Sequence, residues 1–303
     1  MKNYIFFYQI AFRINLFASR GRFQNLFPKK QITKYISKLL GLKDWNPNEK
    51  WERIGLIKFN IPGTSHFMIL NPQYWAQRLS IFAGQYYEFS INKFLRKYLN
   101  PGDIYIDIGA NIGFHLLNAS FLVGNRGKCF AFEANPKVYE ILKAHVVLNR
   151  IANVNLYNCA LYDEDTNLQL KWASNEGGGG NFRPDVVTNE ESLADVKAHK
   201  FDGLIDIAID NRGICKIDTE GSEVKIIRGM KEFIKIHKKI IYVIEITPDW
   251  YISFGDSYTE IFKILEEAGF IAYDISKDGS LSKFSKVNFN QKNIVFVHKS
   301  TIL

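Results

Sequence analysis

The chain has 303 residues, room for one large domain or two modest ones, and its 47% hydrophobic content excludes a disordered chain and allows a sizeable core. A formal net charge of +8 fits an anionic partner (nucleic acid, an acidic membrane surface or a phosphorylated substrate), or only a basic soluble surface, since the basic residues are spread along the chain. Cys129, Cys159 and Cys215 lie far apart in apolar runs and form no CxxC pair, as expected of buried thiols in a reducing compartment, and six histidines without HxxE or HExxH spacing give no zinc motif.

The first stretch, "MKNYIFFYQIAFRINLF", is interrupted by Gln9, Arg13 and Asn15 and lacks a small-residue cleavage site, so it does not read as a signal peptide. It is too short and too polar to span a bilayer. It predicts an amphipathic helix, apolar at Ile5, Phe6, Ile10, Phe12, Ile14 and Phe17 and basic at Lys2, Arg13, Arg20 and Arg22. Such a helix can dock on its own protein, on a second subunit or on a membrane surface. Basic helical stretches continue to about Leu42. "RIGLIKFNIPGTSHFMIL" then predicts two short strands around Pro62–Gly63, and a helix follows from about Gln85 to Leu99. Residues 1–83 differ in texture from the rest and form an N-terminal helical and hairpin region, with residues 84–303 as the main domain.

"NPGD" (100–103) punctuates the chain, and a regular alternation begins. "IYIDI" (104–108) is the first strand, Gly113 to Val123 a helix, "KCFAFE" (128–133) the second strand and "KVYEILKAHVVLN" (137–149) a helix. "VNLYNCAL" (154–161), "ICKID" (214–218) and "IIYVIEI" (240–246) are the third to fifth strands, with helical spacing from Ile226 to Ile234 between the last two. Ser257 and Glu260 form a capping box ahead of "SYTEIFKILEEAGF", and "FIAYDI" and "NIVFV" close the chain as strands. This alternation predicts an α/β fold: a mostly parallel sheet with helices on both faces.

In open parallel sheets ligands sit outside the carboxyl ends of the strands. The first such end is "DIGANIG", where Gly109 lets the chain turn sharply and Gly113 lets a ligand or the strand come close to the helix. The next strand ends in Glu133, placed as an acid that grips the two hydroxyls of a ribose. The dinucleotide pattern GxGxxG is absent, because Asn111 stands at its second glycine. Asp107 would repel phosphate and favour an ammonium or a sulfonium. S-adenosylmethionine carries both and has no phosphate.

"PGDIYIDIGANIGFHLL", "FAFEANPKVYEILKAHVVLN", "NCALYD", "CKIDTEGSEVKIIRGM" and "YVIEI" together resemble the FkbM-type methyltransferases, a branch of the class I enzymes dependent on S-adenosylmethionine, over about Gly84 to Phe270. The resemblance implies a Rossmann-like sheet of seven strands with the last antiparallel, and methyl transfer, usually to a hydroxyl oxygen of a sugar or small natural product. By the same resemblance Asp107, Gly109, Ala110, Asn111 and Gly113 are the cofactor loop. Glu133, with Ala134 beside it, is the ribose acid, and Cys159, Ala160 and Leu161 line the adenine. Glu88 in "GQYYEF" matches an acid that can face the methionine end. "FDGLID" (201–206) only approximates the family's Leu–Asp–Asp element, and no role is carried over from it.

The fourth strand runs into Asp218, Glu220 and Glu223. Glu223 is explained by the helix dipole, worth about 0.3–1 kcal/mol to an acid in the first turn. Asp218 lies at the switch point of the sheet, where cofactor and substrate meet. Transfer to a hydroxyl requires alignment and a place for the proton, and a carboxylate in a partly dry cleft can serve as base. The candidates are Asp218, Glu220 and Glu245, with His115 as a further base if it does not simply pack over the sheet. Lys216 shares a face with Asp218 and could neutralise an acid or hold a substrate anion. The clustered carboxylates would also suit magnesium or calcium, and the sequence does not separate a metal from a base with a lysine partner. "EGGGGNF" is either a lid or a plain crossover loop, and Arg183 beside it could hold an acidic sugar or phosphate.

The reading is therefore a cytoplasmic O-methyltransferase, which could be peripheral at the inner face of a membrane, acting on a hydroxyl of a glycan or small metabolite. No nucleic-acid partner is expected. The rival readings are methylation of nitrogen on an amine or base, although no [ND]PP[YFW] run exists and "NPQY" (71–74) lacks the second proline, and a cofactor-binding protein that has lost chemistry.

Overall fold

The computed structural model describes residues 55–74, 77–78, 80–81, 88–172, 182, 193–285 and 289–301. The expected N-terminal amphipathic helix, the basic helical stretches to Leu42, Arg183 and the glycine run short of Phe182 lie outside the described residues. Of the described residues, 55–89 belong to one compact unit and those from Ser90 onward to a second.

In the first unit β1 (Ile57–Asn60) and β2 (Phe67–Leu70) pair antiparallel, Ile57 opposite Leu70 and Asn60 opposite Phe67. Phe59 and Met68 lie opposite each other on the buried face, as the period of two requires. The turn is closed by Ile61 N–H donating to His66 O at 2.9 Å.

The helix expected to end near Leu99 is α1 (Phe89–Tyr98), burying Ile91, Phe94 and Leu95 at helical spacing. The alternation then runs β3 (Ile104–Ile108), α2 (Phe114–Val123), β4 (Lys128–Phe132), α3 (Pro136–Leu148), β5 (Val154–Tyr157), β6 (Ala160–Leu161), β7 (Thr166–Lys171) and β8 (Leu193–His199). It continues with β9 (Gly213–Ile217), α4 (Glu223–Gly229), α5 (Lys231–Ile236), β10 (Ile240–Ile246), α6 (Pro248–Ile252), α7 (Thr259–Glu267), β11 (Phe270–Ile275), β12 (Leu281–Lys283) and β13 (Lys292–His298). The large sheet has the order β12-β11-β13-β10-β9-β3-β4-β5. β9 runs parallel to both β3 and β10, while β13 is antiparallel to both β10 and β11. The chain thus has the expected Rossmann-like fold with an antiparallel last strand. The sheet holds eight strands rather than seven, because the three-residue β12 pairs with β11 at the edge.

β3 and β9 are buried at every position, which is why they read as near-continuous apolar runs, interrupted by Asp107 and Lys216. Each fully buried Ile there contributes roughly 1.5–3 kcal/mol. Strand order reverses between β3 and β9. Because parallel crossovers are right-handed, the helices of the two halves cover opposite faces.

Three expectations are corrected. The third predicted strand breaks after Tyr157, where the Asn158 side chain turns back to donate to Glu133 O at 2.8 Å, and β6 joins a separate sheet of order β6-β8-β7. The single helical run from Ile226 to Ile234 is two helices. Gly229 packs against the Tyr162 carbonyl, and Asp202 of "FDGLID" begins α5 afresh by accepting from Phe233 N–H (2.8 Å) and Glu232 N–H (3.1 Å). The capping box does not form. Glu260 is taken by Arg228, whose Nε donates to it at 2.7 Å, and a charge-assisted pair outcompetes a neutral amide. Arg228 also pairs with Asp256 at 2.8 Å, locking α4 to α7.

Asp202→Ala removes the side-chain acceptors of two backbone N–H groups at the start of α5 and is expected to lower stability by about 1 kcal/mol, read as a shifted urea midpoint at unchanged slope.

Candidate functional site

The loop after β3 is shaped by close approaches. Gly109 has φ 83°, and a Cβ there would lie 1.9 Å from the Asp218 carbonyl oxygen, so glycine is required by conformation and by contact. Its N–H and that of Ala110 both donate to Phe132 O at 3.0 Å. Asn111 takes the left-handed conformation (φ 51°), which asparagine tolerates, and its side chain accepts from Ile112 N–H at 2.7 Å. Gly113 (φ 96°) leaves room for Leu142, whose Cδ1 would lie 2.8 Å from an added Cβ. Leu117 of α2 makes the same close approach at Gly113, its Cδ1 2.7 Å from the added Cβ, so the approach is made by side chains of α2 and α3, neither ligand nor strand. His145, also on α3, holds the loop through Nδ1 at 2.8 Å from Ile112 O. Sequence reasoning passed over His145, whose only signal is a histidine among apolar residues on a buried helix face.

Glu133 stands just past β4 and is 7% exposed. One carboxylate oxygen accepts from Asn111 N–H and the other from Asn135 N–H, both at 2.8 Å. Burial pushes its pKa up from 4.5 to about 7, outweighing these N–H groups, which favour the ionised form. Each oxygen keeps a second lone pair for a ligand hydroxyl. Asn135, which also caps α3 through Lys137 N–H at 3.0 Å, was not singled out from the sequence.

Across the switch point, Asp107 is 1% exposed and stands directly opposite Lys216 of β9. Lys216, itself 2% exposed, donates through Nζ to Asp218 Oδ2 at 2.6 Å. β9 stops at Ile217, so Asp218 is the first residue beyond the strand and not its last. Asp218 and Glu245, near the end of the neighbouring β10, offer carboxylate oxygens within 4.8 Å of each other. A divalent cation would find its oxygens here, although Lys216 already supplies a positive charge. Glu220 sits half-buried at positive φ (54°), in a turn completed by Gly221 at φ 117°.

Glu223, 1% exposed, does more than meet a helix dipole. It accepts from Thr219 N–H (2.8 Å), Thr219 Oγ1 (3.1 Å) and Gly221 N–H (3.1 Å). Burial raises its pKa.

His115 is 5% exposed in the first turn of α2. Cys159, Ala160 and Leu161 are 8%, 4% and 3% exposed. Cys159 and Leu161 belong to the main core and Ala160 to that of the small sheet, where Ala134 also packs. Glu88 lies in the first unit at φ 47°.

The chain matches the methyltransferase FkbM domain over residues 107–272, more than half its length. It belongs to that family. The matched interval runs from Asp107 to Ala272 and contains every residue of the second unit's site described above. Among curated proteins this FkbM-domain chain is 33% identical over 95 residues to 31-O-demethyl-FK506 methyltransferase FkbM of Streptomyces tacrolimicus, covering 31% of this chain and 36% of that protein. It is 25% identical over 158 residues to methyltransferase sdnD of Sordaria araneosa, covering 42% and 60%. The match spans less than two thirds of either relative. Among solved structures, precorrin-6y C5,15-methyltransferase from Geobacter metallireducens aligns at 16% identity and a TM-score of 0.40, covering 71% of this chain and 89% of that one.

A carboxyl group with a raised folded-state pKa favours folding below its unfolded value, and that contribution is lost as pH rises through the folded value. Glu133 is thus expected to make the ligand-free protein less stable as pH climbs from about 4.5 to about 7. Glu133→Gln should flatten this part of the stability profile, measured by urea unfolding at pH 5 and pH 8.

Proposed function

We propose that this protein transfers a methyl group from S-adenosylmethionine to a hydroxyl oxygen of a glycan or other small metabolite, in the cytoplasm. The observation that carries the reading is the pairing of buried Asp107 and Glu133 around a Gly109–Asn111 loop that lacks the dinucleotide glycines. This donor set fits a cationic, phosphate-free nucleoside. The second lone pair on each Glu133 oxygen suits a ribose diol, and the acids Asp107, Asp218 and Glu245 favour positive charge. Membership of the FkbM family supports methyl transfer, and the name of the Streptomyces tacrolimicus relative supports oxygen as acceptor. Three free, buried cysteines support a reducing compartment. Among the described residues no helix is long and apolar enough to cross a membrane.

S-adenosylmethionine held there would supply a methyl carbon activated by sulfonium charge, with the thioether as leaving group to an acceptor oxygen. This chain's residues do the rest. Glu133 holds the ribose and fixes the loop that covers it. Ala134 and the 159–161 segment border the base. Asp218, Glu220 or Glu245 accepts the hydroxyl proton, and Lys216 limits repulsion among them by holding Asp218. His115, buried in α2, is the weaker base candidate.

Asp107→Ala and Glu133→Ala are each expected to weaken S-adenosylmethionine binding more than tenfold by calorimetry, roughly 1.4 kcal/mol or more. Normal binding by both places the cofactor elsewhere, and tight NAD binding in its stead rejects the reading. With a panel of sugar and small-metabolite hydroxyl acceptors, Asp218→Asn or Glu220→Gln should lower S-adenosylhomocysteine release at least tenfold while cofactor affinity holds. Unchanged release in both removes them from the chemistry, and cofactor binding with no turnover on any acceptor favours a protein that has lost catalysis.

A further inference from the structure

α3 is apolar on two faces. Val138, Leu142, His145 and Val146 form the buried one, which braces the cofactor loop through Leu142 and His145. The second face points to solvent. Ile141, Val147 and Leu148 are 41%, 67% and 51% exposed, and Ala144 between them is exposed as well. Ile141, Ala144 and Leu148 follow one another at i, i+3 and i+7, which makes them one stripe, with Val147 at its side. Single exposed apolar side chains need no explanation. A stripe does, and among the described residues no other helix carries more than one large apolar side chain exposed in this way.

Charge selects what covers the stripe. It is bordered by both signs: Glu140 near its start, Lys143 beside Ala144, and Arg150 just past the helix, at φ 53° after the cap Asn149. An acidic membrane or a nucleic acid would meet Glu140 as a repulsive group inside its contact. A second copy of the same face, turned end for end about a twofold axis at Ala144, meets it as an attractive one. Ala144 is small, so the two helix axes can come close there. Ile141 lies three residues before that axis and Leu148 four after it, so each faces the other across the pair. Glu140 lies four residues before and Arg150 six after, an axial offset of about 3 Å at the helical rise, which two long side chains span. Glu140 then stands between Lys143 of its own chain, 3.7 Å away, and Arg150 of the second copy.

We propose that this face of α3 is an interface between two copies of the chain: an antiparallel, twofold pairing of α3 centred on Ala144, with Ile141 against Leu148 and Glu140 against Arg150. One helix pair buries less than the roughly 800 Å² per partner of a standard interface, so the dimer is weak and depends on concentration. The interface backs onto the face of α3 that braces the cofactor loop, so the loops of both copies are supported from one shared helix pair.

The test is sedimentation equilibrium of the full chain from micromolar to near-millimolar concentration. The unaltered protein is expected to pass from monomer to dimer. Leu148→Glu should raise the dissociation constant about tenfold or more, while the melting temperature stays within a few degrees because the side chain is half exposed in the monomer. Val147→Lys is the second disrupting variant should Leu148→Glu not fold. Glu140→Arg and Arg150→Glu should each weaken the dimer severalfold, and the two together should restore it, since the exchange keeps the pair with its signs reversed. Ala144→Cys should cross-link two copies on oxidation, which the native cysteines, all buried, do not. An unaltered protein that stays monomeric throughout overturns the proposal, whether the stripe is then bare, covered by another part of the chain or taken by a membrane. So does a dimer that Leu148→Glu and Val147→Lys leave intact, or one that the double charge exchange fails to restore.

Discussion

The site depends on buried carboxylates that accept backbone N–H groups from the loops beside them. Glu133 takes one N–H from the loop after β3 and one from its own loop after β4. Glu223 does the same for the turn after β9. A loop alone cannot hold left-handed residues such as Asn111 and Glu220 cheaply. A desolvated carboxylate makes stronger hydrogen bonds than a neutral acceptor and over-determines the conformation. Both acids are pushed towards neutrality by the burial that makes them effective staples.

Charge is the second constraint. Asp107, Asp218 and Glu245 come together at one edge of the sheet, and Lys216 is the cation built into the adjoining strand to hold one of them. A buried ion pair of this kind adds little net stability, because desolvation offsets attraction, but it fixes an orientation. The edge that results attracts positive charge and repels phosphate, consistent with the absence of the dinucleotide glycines.

Packing supplies the rest. The Asp218 carbonyl fills the place where Gly109 would carry a side chain, so the loops after β3 and β9 interlock through backbone. α3 presses on the far end of the same loop with Leu142 and His145. On the opposite half of the sheet, Arg228 binds α4 to α7 through Glu260 and Asp256, which steadies the helix that begins with Glu223.

The sequence by itself determined the alternation of strand and helix, the near-continuous apolar strands and the acids at their carboxyl ends, because period and composition are local properties that a parallel sheet needs. Lys216 and Asp218 were legible as partners because residues two apart in a strand share a face, and the lysine reaches the acid just beyond. Tertiary structure alone decided which carboxylates would be staples and which would face the cleft. Asn111 and Glu133 are 22 residues apart, and nothing in either neighbourhood encodes that hydrogen bond. The same holds for the break after Tyr157, made by Asn158 reaching back to β4's end, and for the lost capping box, where Arg228 from another helix claimed Glu260. In each case the outcome was a competition for one polar group between a local partner and a distant one, and only the folded chain brings the distant one within reach.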